Sequence, residues 1–228
     1  MLYWPFIIMR GCMMQLSERT ISILKNFATI NDSLLFSAGT VQRTIDGMDT
    51  IQCDATLEED FPISFGIYDL RTFLANVGAL KNPDISFGSS YLTITDGTIT
   101  IDYFYASPKT IKSPADGAIN LGEPDVKFTL TNQTFQKLIK IADLNGMPIL
   151  KVIGKNGEII MRATDNTDTS NIVDMKVDSF TGDDFSVTFT IDNLKLLPDD
   201  YEVSLYVDGL CIFENTGKTL KYYITLDS

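Results

Sequence analysis

The order of helix-like and strand-like segments occurs twice along the chain, and this repetition restricts the fold more than any other feature. In each half, a short amphipathic helix window is followed by strand-like runs and then by a second helix-like window. Residues 106–125 separate the halves; they contain three prolines and show no hydrophobic period, which is typical of a linker. The pattern therefore predicts a duplicated domain, with copies at 14–105 and 126–228 joined by 106–125.

Each copy is predicted to be an α+β domain with two helices on a mostly antiparallel sheet. The dipeptides Asp96-Gly97 and Asn156-Gly157 lie between strand-like runs and are strong signals for antiparallel hairpins. Duplication implies pseudo-symmetry within the chain, which an oligomer can extend into a closed ring.

Four windows, 17–30, 69–80, 131–142 and 192–197, are predicted to be helical. Each begins with a side chain that can accept hydrogen bonds from the first free backbone amides of a helix. These capping residues are Ser17, Asp69, Thr131 and Asp192. The last window is the shortest and is predicted to end before Pro198.

Positive charge is concentrated in these windows, although the whole chain has a net charge of -12. Acids occur there only at the start of a window, whereas the rest of the chain has more than twice as many acidic as basic residues. Such segregation favours a surface that attracts phosphates without reading bases. The residues predicted to face DNA are Arg19, Lys25, Arg71, Lys137, Lys140 and Lys195.

No catalytic, cofactor or metal site is predicted. The chain has no histidine, which removes the usual general base near neutral pH and the commonest transition-metal ligand. Its three cysteines form neither a metal-type pair nor a disulfide framework, which favours a reducing compartment. Gly217-Lys218-Thr219 lacks the preceding glycine and following helix of a phosphate-binding loop and is predicted to be a hairpin turn.

The first residues are predicted to be an extension, 1–13, with the functional protein beginning at Met14. The segment is apolar, but it has no basic region before its hydrophobic run and is too short to span a bilayer. We therefore expect no membrane association.

Two stretches of the first half resemble a known family. Met14–Asn31 (MQLSERTISILKNFATIN) and Phe65–Leu74 (FGIYDLRTFL) are similar to the matching segments of the sliding clamps of T-even-type bacteriophages, the DNA polymerase processivity factors. The resemblance is close from Met14 to Gly97, whereas the second half matches mainly in element order and helix position. Lys25 stands where the family has a lysine in its first helix.

The resemblance implies a ring-shaped homotrimer whose helices line a central hole for double-stranded DNA. It also implies loading by an ATP-dependent clamp loader, tethering of the DNA polymerase, and, in related clamps, contacts with the machinery of phage late transcription. No enzymatic activity and no cofactor are expected, and the expected location is the cytoplasm of the infected bacterium. Two alternatives remain open: a structural or scaffold protein of the virion with a duplicated β-rich domain, and an enzyme that depends on carboxylates.

Overall fold

The computed structural model describes residues 13–115, 117, 119, 121–165 and 171–227. These residues separate into two compact units. The first consists of the chain up to Thr44 together with Thr56–Ser113, and the second of Ile45–Ala55 together with the chain from Pro114. Of the predicted extension, residues 1–12 lie outside the described residues; Met13 is exposed, and Met14 is buried and pairs with Ile85.

The described residues of the first unit contain two helices and seven strands, except that Ile45 of β2 and Ile51–Ala55 of β3 belong to the second unit. In chain order these are α1 (Glu18–Ile30), β1 (Leu34–Phe36), β2 (Gly39–Ile45), β3 (Ile51–Phe61), β4 (Phe65–Ile67), α2 (Leu70–Ala79), β5 (Asp84–Phe87), β6 (Tyr91–Thr95) and β7 (Thr100–Phe104). β1 pairs with β4, β5–β6–β7 form a sheet, and β2 neighbours β3. The core includes an aromatic cluster in which the ring of Phe36 stacks on that of Phe65 at 4.6 Å.

The predicted caps of both helices in this unit are confirmed. The Ser17 side chain accepts a hydrogen bond from the Thr20 amide, and Asp69 accepts one from the Thr72 amide. The Glu59 carboxylate of β3 also accepts hydrogen bonds from the Ser17 amide and the Thr20 hydroxyl. This contact holds the start of α1 on β3 and adds a negative charge at the positive end of the helix dipole.

The second unit combines one helix with two antiparallel sheets. Its elements are β8 (Val126–Leu130), α3 (Asn132–Leu144), β9 (Ile149–Lys155), β10 (Glu158–Thr164), β11 (Val173–Ser179), β12 (Phe185–Thr190), β13 (Tyr201–Tyr206), β14 (Leu210–Asn215) and β15 (Leu220–Thr225). One sheet has the order β11-β10-β9-β12. In the other, β13 lies between β8 and β14, and β15 lies between β14 and residues 51–55 of β3.

The predicted helix at 192–197 is wrong, since only a 3₁₀ turn, Ile191–Asn193, forms there. Leu194 and Leu196 are both buried, and residues two apart point to the same side of an extended chain and not of a helix. The buried ring of Tyr222 places its hydroxyl within reach of the Leu197 amide, which further holds this segment. The described residues therefore contain three α-helices, and the second unit has a single turn where a second helix was predicted.

Hairpin predictions are confirmed at both dipeptide signals, and at the turn that resembled a phosphate-binding loop. Gly97 has φ +85°, and Asn156 and Gly157 have φ +53° and +78°, the left-handed values that such tight turns require. Residues 217–219 connect β14 to β15. The structure thus agrees with the predicted α+β class and a mostly antiparallel organisation.

Candidate nucleic-acid interface

In the first unit, Lys25 lies on an exposed face of α1 beside α2. Its side chain has no ion-pair or hydrogen-bond partner among the described residues. The two helices form a groove of about 620 Å³ that Lys25 and Arg71 border. The groove is lined otherwise by small or apolar residues, Ala28, Thr29, Leu74, Ala75, Gly78 and Ala79. The groove is therefore mostly apolar, with the two basic residues at its border.

Arg71 reaches from α2 to the end of α1. Its Nε and Nη2 atoms donate hydrogen bonds to the Ala28 carbonyl oxygen at 3.2 and 3.1 Å. Nη2 also lies 3.0 Å from Oδ1 of Asp32. The side chains of Arg71 and Asp32 are 67% and 76% exposed, so water screens their attraction strongly.

In the second unit, Lys137 and Lys140 lie one turn apart on the exposed face of α3. The opposite face buries Phe135, Leu138 and Ala142, as the hydrophobic period predicted. Neither ammonium group has a partner within the part of the chain that the structure describes. Lys140 borders a groove of about 660 Å³ between α3 and the Ile191–Asn193 turn, where Met147 and Ile191 are apolar and Asp143 and Asp192 are acidic.

The other two predicted residues are less accessible. Arg19 on α1 and Lys195 after the 3₁₀ turn are both half-buried, and each interacts with another group of the protein. Lys195 does not lie on a helix, because the predicted helix is absent there. The structure therefore brings Lys25 together with Arg71, and Lys137 together with Lys140.

Sequence reasoning missed two residues beside this surface. Asp32 follows α1 and pairs with Arg71, and Lys112 lies with Arg71 around a second cavity of about 550 Å³. Lys112 belongs to the proline-containing segment that was read only as a linker. A search for basic residues across the linker could have found it, whereas the contact of Asp32 depends on how α1 ends.

The pKa shifts of the described cysteines and of Asp69 have structural causes, burial and helix capping. Burial raises the pKa of the Cys53 and Cys211 thiols well above the usual value, so neither is a ready nucleophile; Cys12 lies outside the described residues. Hydrogen bonds from the Thr72 amide and hydroxyl lower the pKa of Asp69, which keeps the α2 cap ionised. No cluster of metal-ligating side chains occurs among the described residues. Within the same residues, no helix has the length and hydropathy needed to cross a membrane.

Comparisons with known proteins agree with one another; the relatives match nearly the whole chain, and the family model matches part of its first half. The model of the family described as DNA polymerase processivity factor matches residues 17–112. A sliding clamp of Vibrio phage KVP40 is 28% identical over 226 residues, covering 94% of this chain and 100% of the relative. A sliding clamp of Enterobacteria phage T4 is 25% identical over 228 residues, covering 94% of this chain and 97% of the relative.

A solved structure has the same fold. It contains A. fulgidus PCNA bound to the C-terminal region of FEN-1, and it superposes with a TM-score of 0.69 at 15% sequence identity. The superposition covers 93% of this chain and 95% of the PCNA chain. At this level of identity, the likeness concerns the fold alone.

Proposed function

We propose that this chain, which belongs to the sliding clamps of T-even-type bacteriophages, encircles duplex DNA and tethers the replicative DNA polymerase during processive synthesis. Members of this family are processivity factors and not enzymes. A closed ring around DNA leaves the polymerase free to detach and rebind without leaving the template region. The tether keeps the local concentration of polymerase high, as in other multivalent assemblies.

One observation carries the DNA-binding part of the proposal: both units present unpartnered lysines on exposed helix faces, while the chain as a whole has a net charge of -12. An acidic protein is repelled by DNA except where such cations face it. Non-specific phosphate contacts have no base preference and exchange readily, as sliding requires. We therefore assign Lys25, Lys137 and Lys140 to the DNA-facing surface, and propose that Arg19, Arg71 and Lys195 border it.

Two sheet edges support assembly into a ring. Among the described residues, β7 pairs only with β6, and β11 pairs only with β10. On β7, Phe104 is 69% exposed, and its ring lies 5.3 Å from that of Tyr91, its partner on β6. An exposed strand edge with apolar side chains is a surface that another chain can extend. We propose that β7 of one copy pairs head to tail with β11 of the next, and that three copies close into the homotrimer that the family resemblance implies.

We propose clamp domains at 14–105 and 126–228, joined by 106–125. The boundary between the two compact units at 113/114 falls within this linker, although Ile45–Ala55 groups with the second unit. A ring cannot thread onto circular DNA without opening, so we propose that an ATP-dependent clamp loader places it there. Proteins of phage late transcription are further candidate partners. As a phage DNA replication protein, the chain is proposed to act in the cytoplasm of the infected bacterium.

Primer extension on a long single-stranded template tests the proposed function. The cognate polymerase is diluted so that each product reports one binding event, and the clamp loader and ATP are present throughout. Adding the wild-type chain is expected to lengthen the products, and omitting ATP should remove this effect. Products of unchanged length with active loader and polymerase would contradict the proposal.

A further inference from the structure

Arg71 is the basic residue whose geometry differs most from that of a DNA contact. Helix α1 ends at Ile30, so the residue that would donate to the Ala28 carbonyl in a longer helix, Asp32, lies outside it. Arg71 of α2 satisfies this carbonyl with two N–H groups. A cation at this position also opposes the negative end of the α1 dipole.

The same corner is closed by backbone contacts. The Leu70 amide, at the start of α2, donates to the Asp32 carbonyl at 2.8 Å. The Asn31 amide donates to the Phe27 carbonyl at 2.9 Å, which completes the last turn of α1. Arg71 therefore joins the end of one helix to the start of the other, one turn away from Lys25.

We propose that Arg71 is a structural cap, which fixes the end of α1 one turn from Lys25, and that it does not itself bind phosphate. This inference rests on the proposed function, because it concerns how one part of the DNA-facing surface is built. The fork of the guanidinium is required: a lysine keeps the charge but cannot donate from two nitrogens to one carbonyl. Asp32 lies against the guanidinium and reduces the positive charge that a phosphate would meet.

The test compares Arg71→Lys and Arg71→Gln with Lys25→Gln in the full chain. Affinity for a short fluorescent duplex is measured over a range of salt, where each phosphate contact contributes about 0.9 to the slope of log K against log salt. Amide hydrogen exchange in residues 24–31 reports whether α1 stays capped. Both Arg71 variants should exchange about tenfold faster there, as expected for losing one to two hydrogen bonds, with the salt slope unchanged. Lys25→Gln should lower the slope and leave exchange unchanged.

Three outcomes separate the possibilities. If Arg71→Lys behaves like wild type while Arg71→Gln lowers the slope, Arg71 is a phosphate contact and the inference is wrong. If Lys25→Gln leaves the slope unchanged, the assignment of α1 to the DNA-facing surface is wrong. Faster amide exchange in both Arg71 variants would still support the role of Arg71 as the cap of α1. If both Arg71 variants fail to fold, Asp32→Asn decides: an increased slope would overturn the inference, and an unchanged slope supports it.

Discussion

Removing the two lysines of α3 should weaken DNA binding without weakening the fold. In Lys137→Gln/Lys140→Gln, both changed side chains are exposed and lie opposite the buried face of the helix. Since neither ammonium group has a partner among the described residues, the change relieves only the repulsion between the two lysines, an effect of about 0.2–0.5 kcal/mol. The free energy of unfolding should therefore change by less than about 0.5 kcal/mol.

The DNA effect is larger. Two lost phosphate contacts lower the slope of log K against log salt by about 1.8, so over a fourfold rise in salt the wild type should lose about tenfold more affinity than the variant. Fluorescence anisotropy with a short duplex measures this dependence, and urea unfolding measures stability. Lys155→Gln/Lys218→Gln removes the same charge from strand ends and turns of the second unit and serves as the matched control. Equal slopes for the wild type and the α3 variant, or an equal loss in the control, would refute the reasoning.

Three further predictions concern the fold. A Cβ at Gly154 would lie 2.1 Å from the Phe185 ring, so Gly154→Ala should lower the free energy of unfolding in urea by about 1–3 kcal/mol. Gly122→Ala is the control and should be nearly neutral, because a Cβ there would meet nothing within 4 Å. Leu138 is fully buried, and Leu138→Ala should cost about 2–5 kcal/mol; a smaller loss would mean that α3 is not packed as described. Burial raises the pKa of Asp46, but hydrogen bonds from the adjacent hairpin outweigh this effect and leave it below 3.8. The wild-type chain should thus have a larger free energy of unfolding than Asp46→Asn above pH 3.8, and this difference should disappear as the pH falls through the lowered pKa of Asp46. A difference in unfolding free energy that stays constant across this pH range would contradict the prediction.

Local rules predicted the three long elements that carry the candidate site. Ser17, Asp69 and Thr131 each precede a run with apolar residues every three or four positions, and each caps a helix in the structure. Both the cap and the face are properties of neighbouring residues, so a sequence pattern contains them. The exposed positions of Lys25, Lys137 and Lys140 follow from the same periodicity.

The fourth predicted helix does not form, because its window is too short for local sequence signals to determine its secondary structure. A run of six residues gains few helical hydrogen bonds, and Pro198 disfavours helical backbone in the residue before it. An extended backbone allows Leu194 and Leu196 to be buried on the same side, and the segment is extended for this reason. The short strand β5 follows Pro83 and begins with an acid, so the local signals for a strand are weak there, although it pairs with β6, the next strand along the chain.

The role of Arg71 could not be read from helix periodicity. Its spacing indicated an exposed cation, and it is exposed, but its partner is a carbonyl 43 residues earlier in the chain. A contact of this kind depends on where α1 ends and how α2 packs beside it. The six predicted DNA-facing residues therefore differ in whether another group of the protein binds them, and a count of charges does not show this.

Retention on circular and linear DNA tests the central claim most directly. The chain is loaded with its clamp loader and ATP onto nicked circular DNA, half of the sample is cut once by a restriction enzyme, and the labelled chain that remains with the DNA is measured by gel filtration. A ring that encircles DNA should stay on the circle and be lost from the linear form by sliding off its ends. Equal retention on both forms, or equal loss from both, would contradict the account.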